Sequence, residues 1–287
     1  MNIGWIGAGK MGLPICLRLK DAGHIVSVLA RSDAAERKLR ELGLEAKRQI
    51  SEVCKDTEVV FSSISDDTAL IEILDCIATL KSGSTFIDIS TVSPTASAVV
   101  ADKLASKKIS YLRSPISGST VMAQSGSLTA VVSGSRAKFD ELAAIFGIFA
   151  KRTFHVGEGE EARYLKLVLN AMVAATSALL GEALAFGNKG GLSDTTMLEV
   201  ISQSVVASPL VAYKQDMIVT ENYKAAATLA MLAKDLDLLL SVGRENHTPL
   251  PVSANIRQLY EAALAQGLAE KDFFVLVAEA KRNSSRV

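Results

Sequence analysis

Cysteine is scarce in this chain of 287 residues, aromatic side chains make up only 5% of it, and neither sign of charge prevails. The three cysteines, Cys16, Cys54 and Cys76, are an odd number with no close pair. That argues against a disulfide framework and for a reducing compartment, here expected to be the cytoplasm. Neither CxxC nor HExxH occurs, and the three histidines (His24, His155, His247) are scattered, so no metal site is expected. The 31 basic residues balance 31 acidic ones, which leaves no electrostatic ground for a nucleic-acid or anionic-membrane partner. The longest uncharged run, Leu167 to Gly181, is broken by Asn170, Thr176 and Ser177. It falls short of the ~20 apolar residues that cross a bilayer and reads as a buried helix. The first residues lack the basic and apolar regions of a secretory leader.

What remains is a globular chain with an aliphatic core. Its first half alternates in type. Short apolar runs at Asn2–Ile6, Ile25–Leu29, Glu58–Phe61, Thr85–Ile89 and Ile109–Leu112 read as strands. Helical spacing fills Met11–Ala22, Asp33–Leu42 and Pro94–Ala105. Two more β-rich runs, Leu128–Ser133 and Arg152–Val156, flank a helical Lys138–Phe149. This alternation predicts an α/β Rossmann-type, doubly wound parallel sheet over residues 1–159. From Glu160 the chain turns Ala/Leu-rich at helical period. A helix predicted from about Glu161 to Phe186 stops at Gly187 and Gly190-Gly191. Further helices fit Ser193–Ser202, Ser208–Val219, Tyr223–Arg244, Val252–Gln266 and Lys271–Lys281. Residues 160–287 are thus expected to form an all-α domain joined to the first by a long helix.

Gly7-Ala-Gly9-Lys10-Met11-Gly12 follows the first strand and opens the first helix. In that context, glycines permit a tight turn, backbone approach to a pyrophosphate and close helix–strand packing. The helix N-terminus adds free N–H groups and partial positive charge for phosphates. The second strand ends Leu29-Ala-Arg31-Ser32-Asp33, with no acidic residue at the position that binds ribose hydroxyls in NAD sites. Arg31 and Ser32 suit a 2′-phosphate instead, so NADP(H) is preferred and NAD(H) remains possible. The alternative is a solvated Arg31 and an Asp33 that merely caps the next helix.

Three other features carry polar groups. Ser90-Thr91-Val-Ser93-Pro94 follows the fourth strand, where ligands gather, although Ser93 capping a helix is the stronger reading by itself. Ser114-Pro-Ile-Ser117-Gly118-Ser119 is a small-residue loop able to aim N–H groups and hydroxyls at a carboxylate. Lys166 and Asn170 share one helix face in apolar surroundings. A lysine there either snorkels to solvent or faces a polar cleft, where it protonates a substrate oxygen. Lys234 and Asp237, three apart on another helix, read by themselves as a surface ion pair.

Taken in order, these pieces resemble the β-hydroxyacid dehydrogenase family, which includes 3-hydroxyisobutyrate dehydrogenase and the glyoxylate/succinic semialdehyde reductases. The likeness rests on Gly7–Gly12, Ser90-Thr91 with Pro94, Pro115–Gly118 with Gly126 and Leu128, Lys166 with Asn170, and Lys234-Asp235. It implies Lys166 as general acid/base, with Ser117, Gly118, Ser119, Asn170 and Asp235 at the substrate. It places Gly7, Gly9, Lys10, Met11, Gly12, Arg31, Ser32, Ser63, Ile64, Thr91 and Lys234 at the cofactor. Four positions depart from the family's pattern: Ser119, Glu160 and Ala162 stand where glycine is usual, and Arg113 where an acid is. They leave the substrate open, and Arg113 either attracts an acid group or lies outside the pocket.

The expected activity is NADP(H)-dependent interconversion of a small carbonyl acid, a semialdehyde or 2-oxo acid, and its hydroxy acid. The expected assembly is a homodimer or homotetramer. The competing readings are an imine reductase on the same scaffold, which Lys166 disfavours, and a dinucleotide-binding module without turnover.

Overall fold

The computed structural model describes residues 1–284. Two compact units divide the chain, Met1–Lys166 and one from Leu167 onward.

The first unit opens with β1 (Asn2–Ile6), α1 (Gly12–Asp21), β2 (Ile25–Leu29), α2 (Asp33–Glu41), β3 (Glu45–Lys47), α3 (Ile50–Cys54) and β4 (Val59–Ser62). Then come α4 (Asp67–Glu72), α5 (Leu74–Ile77), β5 (Thr85–Asp88), α6 (Pro94–Ser106), β6 (Ser110–Arg113) and β7 (Ile116–Ser117). The unit continues through α7 (Thr120–Ser125), β8 (Leu128–Ser133), α8 (Arg136–Glu141), α9 (Ala143–Phe149), β9 (Ala150–Gly157) and the start of α10 (Glu161–Lys189). The strands form one nine-stranded sheet in the order β3-β2-β1-β4-β5-β6-β8-β7, with β9 beside β8. Pairing is parallel from β3 to β6, antiparallel at β6–β8 and β7–β8, and parallel again at β8–β9. Every residue of β4 and β5 is buried, as expected of parallel strands covered on both faces. Two apolar clusters result, one around Trp5, Phe61 and Phe149 and one around Phe86, Val100 and Leu104.

The predicted fold class holds, with local corrections. β3 and α3 to α5 were too short or too polar to read from periodicity. The predicted helix Lys138–Phe149 is two helices, α8 and α9, broken at Leu142.

The second unit holds the rest of α10, α11 (Asp194–Ser202), α12 (Pro209–Val219), α13 (Leu229–Glu245), α14 (Pro251–Leu264) and α15 (Val275–Ser284). Its core gathers Ala174, Leu184, Ile218, Leu229, Tyr260 and Phe274. α10 does not stop at Gly187. A Cβ there would lie 2.1 Å from Met197 Sδ, so this glycine serves close packing inside the helix, and Gly191 at φ +85° ends it. Tyr223 to Thr228 and Lys271 to Phe274 are not helical as predicted. Lys224 pairs with Lys271 and Thr228 with Asp272 in antiparallel bridges. Asp272 organises both segments. It accepts from Lys214 Nζ (2.6 Å) and from the N–H groups of Ala226 (3.3 Å) and Phe274 (3.1 Å). Among the described residues, α10 alone is long and apolar enough to cross a membrane. Its buried Ala174, Ala178, Leu180 and Leu184 belong to the unit's core.

Candidate active site

β1 lies between β2 and β4, so the chain leaves the sheet's middle on opposite sides. Ligands of such sheets settle at this switch point, outside the carboxyl ends of the strands. The Gly7–Gly12 turn sits there. Gly7 has φ +90°, and a Cβ on it would lie 2.1 Å from the Ser63 carbonyl oxygen, which only glycine avoids. At Gly12 a Cβ would stand 2.7 Å from both the Gly7 carbonyl oxygen and Trp5 Nε1. A Cβ at Gly9, by contrast, meets no heavy atom within 4 Å. The outer glycines therefore serve the fold, while Gly9 leaves the backbone bare at the N-terminus of α1, with room for a phosphate. Ser63 adjoins this turn, its N–H donating to the Ile6 carbonyl (2.8 Å). These residues fit a dinucleotide.

At the end of β2, Arg31 is exposed. The cap of α2 is Ser32 rather than Asp33: Ser32 Oγ accepts from the Ala35 N–H at 3.2 Å. After β5, Ser93 caps α6 with Pro94 in the first turn, in line with the local expectation. Ser90 has a different task. Its Oγ accepts from the Ile64 N–H (2.9 Å) and donates to Asp88 Oδ1 (2.5 Å), which ties the turns after β4 and β5 together. Thr91 follows, half-buried.

The Ser117–Gly118 loop faces Lys166 within the same unit. Lys166 Nζ donates to the Ile116 carbonyl at 3.0 Å, so the lysine does not simply snorkel to solvent. Gly118 has φ +138° and a Cβ on it would lie 2.7 Å from Leu128 Cδ2. Ser119 Oγ caps α7, accepting from the Met122 N–H (3.4 Å). In the second unit, Asn170 Nδ2 donates to Asp235 Oδ2 at 2.6 Å. Lys234 Nζ pairs with the other carboxylate oxygen of Asp235 at 3.0 Å. Asp237 instead binds Arg257 (2.7 Å), which corrects the expected Lys234–Asp237 pair. Ser177 is buried and shares a hydrogen bond with Tyr260 OH (3.0 Å), a core contact rather than a site group.

Two clusters carry no local sequence signature of their partners. Arg113 does not await an acid ligand: its guanidinium binds Glu160, with Nε 2.9 Å from Oε1, and lies over the Tyr111 ring. Arg163 is 1% exposed and bonded to Asp88, Ser90, Ser97 and Tyr111. The sequence does hold a faint signal for the second, an arginine inside an apolar helix and an aspartate closing the apolar strand Thr85–Asp88.

The sheet order and glycine turn define a Rossmann-type dinucleotide-binding scaffold. Residues 2–157 match the model for the NAD-binding domain of 6-phosphogluconate dehydrogenase. Residues 160–279 match the NAD-binding model of NADP-dependent 3-hydroxyisobutyrate dehydrogenase. The chain is 29% identical to 2-(hydroxymethyl)glutarate dehydrogenase of Eubacterium barkeri, over 96% of this chain and 94% of that protein. It is 27% identical to the chloroplastic glyoxylate/succinic semialdehyde reductase 2 of Arabidopsis thaliana, over its full length and 81% of the relative. The fold superposes on 3-hydroxyisobutyrate dehydrogenase of Mycobacterium tuberculosis, solved with L-serine, at a TM-score of 0.90 and 22% identity, covering 97% and 98% of the two chains. The chain belongs to the β-hydroxyacid dehydrogenase family and is an NAD(P)-dependent hydroxyacid dehydrogenase.

Proposed function

We propose that this enzyme interconverts a small semialdehyde or 2-oxo acid and its hydroxy acid, with NADP(H) preferred and Lys166 as general acid/base. The observation that carries the reading is the Lys166 ammonium held 3.0 Å from the Ile116 carbonyl, one residue before the Ser117–Gly118 loop. Gly7, Gly9, Lys10, Met11 and Gly12 hold the pyrophosphate, and Arg31 and Ser32 the 2′-phosphate. Ser63, Ile64, Thr91 and Lys234 take the remainder of the cofactor. When bound, the dinucleotide supplies the hydride that reduces the carbonyl carbon.

Lys166 gives its proton to the carbonyl oxygen as the carbon is reduced, becoming a neutral amine that solvent reprotonates. In the oxidative direction the amine takes the hydroxyl proton. Ser117, Gly118 and Ser119 orient the substrate's acid group through N–H and hydroxyl donors. Asn170 orients its oxygen, its own amide fixed by Asp235. The exposed Met172, Leu179 and Phe186 on α10 support a homodimer or homotetramer built on the helical unit.

The test is a panel of carbonyl acids, including glyoxylate and succinic semialdehyde, followed by NADPH and NADH absorbance. Lys166→Ala is expected to lower turnover by about 10²-fold or more with cofactor affinity nearly unchanged. Near-normal turnover in that variant ends the assignment of Lys166.

A further inference from the structure

Five elements of the first unit converge on one buried guanidinium. Arg163, in the first turn of α10, donates Nη2 to Asp88 Oδ2 (2.5 Å) and to Tyr111 OH (2.7 Å). Its Nη1 donates to the Ser90 carbonyl (2.8 Å) and its Nε to Ser97 Oγ (3.2 Å). All three nitrogens are engaged. Asp88 is fully buried and also accepts from Ser62 Oγ (2.6 Å), the Ser90 N–H (3.1 Å) and Ser90 Oγ. The ends of β4 and β5, strand β6, helix α6 and helix α10 are thereby bonded into one network.

Such a network is a poor source of stability. Desolvating two charges costs about as much as their attraction returns, and an apolar replacement of similar volume often does as well. What a planar guanidinium fork does supply is fixed distance and angle. The groups fixed here include two that the proposed chemistry uses. One is the Ser90-Thr91 turn, proposed at the cofactor; the other is α10, where Lys166 follows Arg163 by three residues and so projects from a neighbouring position on the helix.

We infer that Arg163 is a positioning residue, setting Lys166 relative to the Ser90-Thr91 turn through its bonds to Asp88 and the Ser90 carbonyl. The inference rests on the proposed function for the roles of Lys166 and Thr91. Reaction rates depend steeply on such placement, a shift of about 1 Å costing ~10²-fold. Arg163→Lys keeps a cation beside Asp88 but is a point charge that cannot reach Ser90 and Tyr111 together. Tyr111→Phe removes one bond to Nη2 and keeps the ring.

Two measurements on the full-length protein test this. For Arg163→Lys, kcat is expected to fall by at least tenfold and roughly 10²-fold at most, with the dissociation constant for NADPH and the substrate KM each within about threefold of wild type. The second is competitive acetylation, read by peptide mass spectrometry. The Lys166 labelling rate is expected to change by more than threefold in Arg163→Lys and in the same direction, to a smaller extent, in Tyr111→Phe. Lys20 and Lys214 serve as controls and should not change. Should Arg163→Lys fail to fold, Tyr111→Phe carries both readouts. Unchanged kcat and unchanged Lys166 labelling in a folded variant overturn the inference, as does a labelling change shared by the control lysines. Labelling needs no turnover. A wild type inactive on every substrate would therefore sink the proposed function, while the labelling alone would still uphold or overturn the role of Arg163.

Discussion

Arg113 and Glu160, distant in sequence, form a largely buried ion pair, with side chains 8% and 17% exposed. Each stands where the family resemblance leads one to expect another residue, an acid at 113 and a glycine at 160. The structure makes the two departures one. An arginine placed at the end of β6 needs a counter-charge, and the carboxylate just before α10 provides it. Arg113 is thereby engaged by Glu160 rather than free to anchor a substrate, which is consistent with the proposal that the Ser117–Ser119 loop takes the substrate's acid group.

This pairing predicts strong non-additivity. Glu160→Gln alone leaves a buried guanidinium without its charged partner and Arg113→Met alone leaves the carboxylate without its own, and such losses cost about 3 kcal/mol. The melting temperature should drop by roughly 5 °C or more. Arg113→Met combined with Glu160→Gln removes both charges and should recover most of that loss. Calorimetry on the four proteins of the cycle decides it; simple addition of the two single effects would show the pair to be uncoupled.

The glycine turn separates folding from binding. Gly7→Ala forces a Cβ against the Ser63 carbonyl at a positive φ and should destabilise the first unit, lowering the melting temperature by several degrees. Gly9→Ala adds its methyl to open space. It should melt like wild type yet bind NADPH at least about tenfold more weakly, because the methyl keeps phosphate from the backbone N–H groups. Binding can be followed by energy transfer from Trp5, the chain's one tryptophan, which lies in the strand leading into this turn. Equal affinity in Gly9→Ala would remove the turn from the cofactor site.

The proposed preference for NADP(H) is tested at Arg31. A charge-assisted contact to the 2′-phosphate is worth about 1.5–3 kcal/mol, so Arg31→Ala should raise the dissociation constant for NADPH by ~10–100-fold. The NADH constant should stay within about twofold. Parallel losses for both cofactors would assign Arg31 to stacking on adenine, and no loss for either would leave the preference for NADP(H) without its cause.

Much of this was legible in the sequence because it rests on local rules. Strand–turn–helix punctuation at Gly7–Gly12 and the change to Ala/Leu periodicity after Glu160 depend on near neighbours, and both are found. The departures share one origin, contacts between residues far apart in the chain. Tyr223 to Thr228 has helical composition, but Asp272, from a distant part of the chain, bonds to it and the segment is not helical. Gly187 reads as a stop signal until Met197 is seen packed on it. Arg163 is marked in the sequence only faintly, as an arginine in an apolar helix, because its partners Asp88 and Tyr111 lie on strands whose order no periodicity reveals.

The cysteines give a prediction of opposite sign to the usual acid effects. Burial pushes the Cys54 thiol up to about 12, with the Cys76 thiol adding to the rise, and burial likewise raises Cys16 well above its ordinary value. Both stay protonated and shielded, whereas Cys76 is partly exposed. Iodoacetamide at about pH 8 should therefore modify Cys76 alone in the native enzyme and all three thiols in denaturant, as counted by intact mass. The stability consequence follows from linkage. Below the ordinary thiol pKa near 9, folded and unfolded chains are both protonated and the contribution is fully present. Above it the unfolded chain releases protons that the folded chain retains until about 12, so stability falls as pH rises through that window. Cys54→Ala should lose stability at neutral pH from the smaller side chain, yet its melting temperature should decline less steeply than wild type between about pH 9 and pH 11. Parallel slopes for the two proteins would show that Cys54 ionises alike in the folded and unfolded chain.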